Sequence, residues 1–250
     1  AGTETNRNQR DIDANETVLS GDRNGDDGAN FTNNGDNTYH VVTSGLLDGD
    51  PVLDGFTVKA GNADGESSDR VAAGMFITDS SPSIVDCTFE ANTAAAEGTA
   101  VYIQPFSVGS DPIIVRCTFR DNVGGATIWN SDVRAPVHTT LTDCTFTSNT
   151  GTAIDNQATC EFIENTAVEA GAFKNFGEAT IRGCLFDGNS STNSSGGAIT
   201  ERSSSVLTII DSTFIGNSAI RGGAFGAVAS PTLINCLFYD NTASVAGGAL

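Results

Sequence analysis

One hexapeptide recurs down the chain and limits what it can become. It reads CTFEAN (87–92), CTFRDN (117–122), CTFTSN (144–149), CEFIEN (160–165), CLFDGN (184–189), STFIGN (212–217) and CLFYDN (236–241). Its phenylalanines stand at 89, 119, 146, 162, 186, 214 and 238, in steps of 30, 27, 16, 24, 28 and 24 residues. A second motif alternates with it: GTAV (98–101), GGAT (124–127), GTAI (151–154), AGAF (170–173), GGAI (196–199), GGAF (222–225) and GGAL (247–250), with AAGM (72–75) as a degenerate first copy. The last residues of that series are spaced 26, 26, 27, 19, 26, 26 and 25 apart. The two series keep one phase and shorten together, so the 16-residue and 19-residue steps describe one tight coil. Self-similarity with a period near 25 in a chain of 250 residues is the signature of a solenoid.

The residue pattern selects the type of solenoid. Cys and Phe lie two apart, which on a strand puts both on one face, and three residues before the Cys stands an aliphatic: Ile84, Ile114, Leu141, Ile181, Ile209 or Leu233. The unit aliphatic-x-x-Cys-x-Phe-x-x-Asn superficially imitates a leucine-rich repeat. Leu is sparse, however, one coil is too short, and the Gly-Gly-Ala half has no helical periodicity. Short β-rich segments between Gly, Asn, Ser and Asp read as strands and turns. The expectation is an all-β parallel β-helix with about 25 residues per coil and 8–9 coils, in which like residues stack on like. Asn92, Asn122, Asn149, Asn165, Asn189, Asn217 and Asn241 then form a turn ladder, Phe fills the interior, and the Gly pair sits where a Cβ would collide or φ must be positive. The residues before Cys (Asp86, Arg116, Asp143) point outward and alternate in charge.

Cys87, Cys117, Cys144, Cys160, Cys184 and Cys236 are all the cysteines of the chain. Without a CxxC pair they do not make a zinc site. Neighbouring rungs bring Cα atoms within disulfide range, but side chains parallel in a core cannot reach the required torsion, and Ser212 interrupts any pairing scheme. They read as a ladder of free thiols acting as small hydrophobes.

With FxxN and GGA[ILV] alternating over roughly 72–250, the chain resembles the polymorphic outer membrane protein repeat family. It is equally similar to large bacterial surface proteins with right-handed parallel β-helix repeats. The opening AGTETNRNQRD…ETVLSGDRNGDDG is similar to the segment preceding the repeats in the second group, where a strand ending Gly-Gly-Phe comes first. The resemblance implies a right-handed β-helix, export, display at a bacterial cell surface or outer membrane, and adhesion. It also implies that this chain is a piece of a longer one.

Residues 1–70 read as an N-terminal segment with degenerate coils such as VLDGFTVKAGN (52–62), and 71–250 as the regular part of one continuous solenoid. The acidic loop SGDRNGDDGANFTNNGDN (20–37) is the best candidate for an ion, Ca²⁺. Asp22, Asn24 and Asp26 alternate as at the start of an EF-hand loop. Asp27 stands where that loop needs Gly and Asn33 where it needs Glu, so a looser site is expected.

Net charge is −19, which excludes nucleic acid as a partner because phosphates need a basic stripe. No apolar run is long enough for a transmembrane helix. His40 and His138 have no Ser or Cys partner at a known spacing. If Thr127 faces inward, alternation puts Trp129 inward too; a shift of one residue would expose an aromatic suited to stacking on a sugar. The loops 102–112, 131–137 and 190–195 are where binding should sit. Three functions follow: a non-enzymatic extracellular or cell-surface rod serving adhesion or structural assembly, with surface glycans or other copies of itself as partners; a carbohydrate-active enzyme, a Ca²⁺-assisted polysaccharide lyase or a glycoside hydrolase; and a self-assembling filament subunit. A basic residue beside three carboxylates in a groove would favour the enzyme.

Overall fold

The computed structural model describes residues 10–250 except 13, 47, 48, 50, 132, 133, 157, 158, 164, 165, 169, 170, 193, 194, 203 and 227–229, and describes only the backbone of 159–163 and 166–168. Three parallel sheets wind around one core, with nine strands in the first and eight in each of the others. One coil runs from the third sheet (Ser83–Val85) through the first (Thr88–Glu90) to the second (Val101–Ile103) and back to the third (Ile113–Val115). The stack begins at Thr17–Ser20, which pairs in parallel with Phe56–Lys59, so coils are already present before residue 71.

Parallel register superimposes equivalent positions. Phe89, Phe119 and Phe146 are aligned and fully buried, with ring centroids 5.2 and 4.7 Å apart and planes within 11°. Phe186, Phe214 and Phe238 stack likewise at 4.8 Å. Burying one such ring contributes roughly 1.5–3 kcal/mol. Ile84, Ile114 and Leu141 form the inward column of the third sheet, and Met75, Val101, Ile128 and Ile154 that of the second.

Both corners flanking the first sheet need a left-handed residue. Before the Cys column, Asp86, Arg116, Asp143, Gly183, Asp211 and Asn235 have φ of 51–64°. Before the Asn column, Ala91, Asp121, Ser148, Gly188, Gly216 and Asp240 have φ of 51–65°. Asp, Asn and Gly dominate because they tolerate this region. The Asn that follows closes the corner. Asn122 donates through Nδ2 to Phe89 O (3.0 Å) and Asn149 Oδ1 (2.7 Å), while its own Oδ1 accepts the backbone N–H and Nδ2 of Asn92, both at 3.1 Å. Asn189, Asn217 and Asn241 repeat the arrangement at 2.8–3.0 Å. Asn165 lies outside the described residues.

The two glycines of the GGA motif serve different ends. The first takes positive φ (Gly196 +82°, Gly222 +54°); a Cβ on the second would stand 2.1 Å from the backbone oxygen of the next coil at Gly197 and at Gly223.

Cys87, Cys117, Cys144, Cys184 and Cys236 are free thiols, and all but the half-buried Cys236 are buried. Each donates back to the carbonyl two residues before it, as Cys87 Sγ does to Val85 O at 3.2 Å, and Ser212 makes the same bond at 2.9 Å. A hydrogen bond with Cys117 and then burial push the Cys87 thiol up; a hydrogen bond with Cys144 does the same to Cys117.

Two alignments expected from the motifs are corrected. CEFIEN is not a fourth copy of the Phe strand. Its strand Thr159–Ile163 belongs to the third sheet, with Phe162 opposite Leu141 and Ile181, and Cys160 opposite Thr139 and Ala179. Cys160 therefore stands outside the thiol column, and Ala167 takes the Phe position between Phe146 and Phe186. Alternation of period two does not say which sheet a strand joins. In GGAT, the residue in register with Val101 and Ile154 is Ile128, not Thr127. The turn is one residue longer there, and Trp129 faces outward.

Two predictions follow from the corners and the thiols. Ala91→Gly relieves a left-handed alanine and raises stability by about 0.5–1 kcal/mol, whereas Gly188→Ala, where a Cβ meets nothing within 4 Å, lowers it by about 1 kcal/mol; thermal denaturation reads both. Cys87, Cys117, Cys144 and Cys184 should resist alkylation in the native protein and label fully on unfolding without reductant, as followed by peptide mass spectrometry.

Candidate functional site

The outward column of the second sheet carries side chains that the core does not require. Register places Thr43, Phe76, Tyr102, Trp129, Asp155, Lys174 and Thr200 one above another. Phe76, Tyr102 and Trp129 are half-buried on three consecutive rungs. Phe76 meets Tyr102 edge-on at 5.7 Å, and Tyr102 lies parallel to Trp129 within 7° at 6.1 Å; His40 adds a tilted contact with Phe76 at 5.3 Å. Beyond Trp129 the column continues as Asp155 and Lys174, so no ring follows the indole on that side. Burial, then the Glu97 charge, pushes the Tyr102 hydroxyl up against the opposing pull of Arg134. A groove of about 420 Å³ flanks the polar end, lined by Glu97, Thr152, Lys174, Ser191 and Thr200 among others.

The loop after this sheet is held from below. Buried Asp79 accepts the backbone N–H groups of Phe106 (2.8 Å), Ser107 (2.7 Å) and Val108 (2.9 Å), and the Ser107 hydroxyl at 3.1 Å. These bonds, led by that from the Ser107 N–H, hold its carboxyl below the usual range. Arg134 lies 4.7 Å over the Phe106 ring and Arg202 4.8 Å over Phe176, so two cation–π pairs join the loops that follow successive strands of this sheet.

A second concavity, a cleft of about 480 Å³, opens where the acidic loop folds over the first sheet. Asp27 and Phe31 come from the loop, and Lys59, Glu90 and Asp121 from successive rungs. Lys59 is thus gathered with three carboxylates. It stands 3.9 Å from Glu90, which Arg120 Nε also meets at 2.8 Å. The result is a charge-alternating outward column of the kind Asp86 and Arg116 form elsewhere, with bonds of 2.6 and 2.8 Å. Exposed ladders of this sort contribute little to stability.

In the acidic loop, Asp22 Oδ1 accepts the N–H groups of Asn24 (3.2 Å), Gly25 (2.6 Å) and Asp26 (3.4 Å), and Oδ2 that of Asp27 (3.3 Å). Burial pushes the Asp22 carboxyl up, and these four N–H groups together pull it to a net value below the usual range. Asp22 and Asp26 come together with Asp36, which spacing did not single out because it lies ten residues beyond Asp26. Asn24 takes part through its backbone N–H.

Among the described residues no helix is long and apolar enough to cross a membrane. No curated protein and no solved structure matches the chain. A family model described as the right handed beta helix region matches residues 18–168, more than half of the chain, over coils whose parallel columns are those set out above, and the chain belongs to that family.

Proposed function

We propose that this chain is a non-enzymatic β-helical rod, displayed at a bacterial surface or secreted, that holds glycans on the outward face of its second sheet. The observation that carries the reading is the run Phe76–Tyr102–Trp129. Three rings on consecutive rungs of an outward column add nothing to the interior, and among the described residues the outward columns of the other two sheets mix charged, hydroxyl and aliphatic residues without consecutive aromatic rings. The indole ends the run and offers an apolar platform for a sugar ring, with Lys174, Thr200 and Glu97 within the adjoining polar groove for its hydroxyls. Rung spacing near 4.8 Å lets one extended ligand touch several coils. The FxxN and GGA[ILV] pattern shared with polymorphic outer membrane protein repeats supports display and adhesion, and the net charge of −19 suits a neutral rather than an acidic glycan.

A glycan array followed by affinity electrophoresis tests this. Trp129→Ala should weaken binding roughly 3–10-fold with unchanged circular dichroism, and Tyr102→Ala should act in the same direction. A panel of neutral polysaccharides that leaves the mobility of the protein unchanged would refute it.

The cleft supports a second reading, a carbohydrate-active enzyme. Lys59 with Asp27, Glu90 and Asp121 is the basic residue beside three carboxylates that favours an enzyme, but Glu90 is charge-paired with both Lys59 and Arg120 as part of the surface ladder, so the aromatic run keeps the rod as the first reading. Incubation with polysaccharides, with and without Ca²⁺, should release no reducing ends above background. Release that Asp121→Asn abolishes would replace the rod with the enzyme.

A further inference from the structure

The acidic loop has a problem that no described group of the protein solves. Asp22, Asp26 and Asp36 each place a carboxylate oxygen within 4.8 Å of the other two. Among the described residues no Lys, Arg or His forms an ion pair with any of them. Three like charges at this separation repel, and the four N–H groups on Asp22 favour its charged form.

A separate observation concerns Asn37, which is only 9% exposed. Its Nδ2 is committed to Asp27 Oδ2 at 2.7 Å, while its Oδ1 is buried and meets no donor. Asp27, which accepts that amide, itself donates its N–H to Asp22 Oδ2, so two hydrogen bonds connect Asn37 to the carboxylate group. Asp27 Oδ1, Asp36 Oδ2 and Thr38 Oγ1 are also buried and without a partner. Four buried oxygens on one short loop are thus left unsatisfied, three of them pure acceptors. Orphaned buried acceptors are costly and call for something that is not a hydrogen-bond donor of the protein.

We propose that Asp22, Asp26 and Asp36, with the amide oxygen of Asn37, form a Ca²⁺ site. The donors are all oxygen, which selects a hard cation. They are spread along a loop rather than fixed in an octahedron, which favours Ca²⁺ over Mg²⁺. One ion removes the repulsion and satisfies the acceptors together. It also fastens the segment 27–31, which forms one wall of the cleft above Lys59 and Glu90. The site is independent of the glycan-binding face.

The test uses the whole chain freed of metal with a chelator, titrated with Ca²⁺ alone by calorimetry and by thermal denaturation. Mg²⁺ and ionic-strength-matched NaCl serve as controls. The expected result is one Ca²⁺ per chain with a dissociation constant on the order of 0.1–1 mM, and a melting temperature raised by roughly 3–6 °C at about tenfold that concentration. No side-chain hydrogen bond of Asp36 or Asp26 is lost on substitution, so Asp36→Asn should abolish the Ca²⁺ response while melting at or above the wild-type temperature in metal-free buffer. Asp26→Asn should do the same and replaces it if Asp36→Asn does not fold. Absence of a saturable heat, a thermal shift that NaCl reproduces, or a Ca²⁺ response retained in both variants would each overturn the proposal.

Discussion

The structure depends on the side-chain amide of asparagine bonding across rungs. At Asn122 every amide capacity is used: both protons go to oxygens on neighbouring rungs, and the oxygen accepts two from the rung before. The corner it closes is where the chain leaves the first sheet and the backbone ladder lapses. An amide matches this because it donates and accepts along one line, so each copy satisfies the next. A carboxylate at Asn122 would set a second acceptor oxygen against Phe89 O and Asn149 Oδ1, where the amide donates, and an alanine would strand the oxygen and amide groups of two rungs at once.

That corner in turn requires a left-handed residue immediately before the Asn. The chain meets the requirement with Gly, Asp or Ser at most rungs and with Ala91 at φ 51°; one rung earlier Ala60, at φ 59°, precedes Gly61, whose N–H donates to Asn92 Oδ1. The alanines are tolerated because the surrounding stack over-determines the backbone. The interior follows from the same register. Once coils superimpose, one aromatic column suffices to fill the space beside the thiols, and the second glycine of each GGA is needed only because successive backbones run too close for a Cβ. A further ladder within the second sheet, Asn130 to Asn156 to Asn175 at 2.8 and 3.0 Å, repeats the device on the inner wall.

Much of this was legible in the chain because a solenoid writes its columns as periods. Phe, Cys and Asn announced themselves by recurring in one phase. What period could not convey was assignment to a sheet. Cys160 and Phe162 alternate as Cys117 and Phe119 do, yet they pair with Thr139 and Leu141 of the third sheet, because turn length varies freely between columns and only pairing in space resolves it. The single extra residue at 124–127 had the same origin and turned Trp129 outward. The inner ladder was in view as IWN, IDN and FKN but lacked a motif long enough to stand out. Asp36 gave no signal at all, since it joins Asp22 and Asp26 only through the folding of an irregular loop.

These misses share a cause that bears on function. In a rod of stacked coils, stability is a property of inward columns and corners, which repeat and are visible. Binding belongs to outward columns and to loops, which carry no periodic constraint. The Phe76–Tyr102–Trp129 run sits one residue out of phase with the aliphatic column that carries it, so the same register that buries Met75, Val101 and Ile128 fixes the three rings on the outer surface at rung spacing. No loop has to fold to position them. A ligand meeting this face finds its contacts already ordered by the core, whereas the acidic loop, with short 3₁₀ turns and left-handed Asn30, Phe31 and Asn33, is held by scattered bonds such as Asn33 Nδ2 to Asp26 O at 2.9 Å and Asn62 Nδ2 to Asn34 O at 3.0 Å. On the two proposals above, recognition is divided between a surface prearranged by the sheets and a loop that an ion orders.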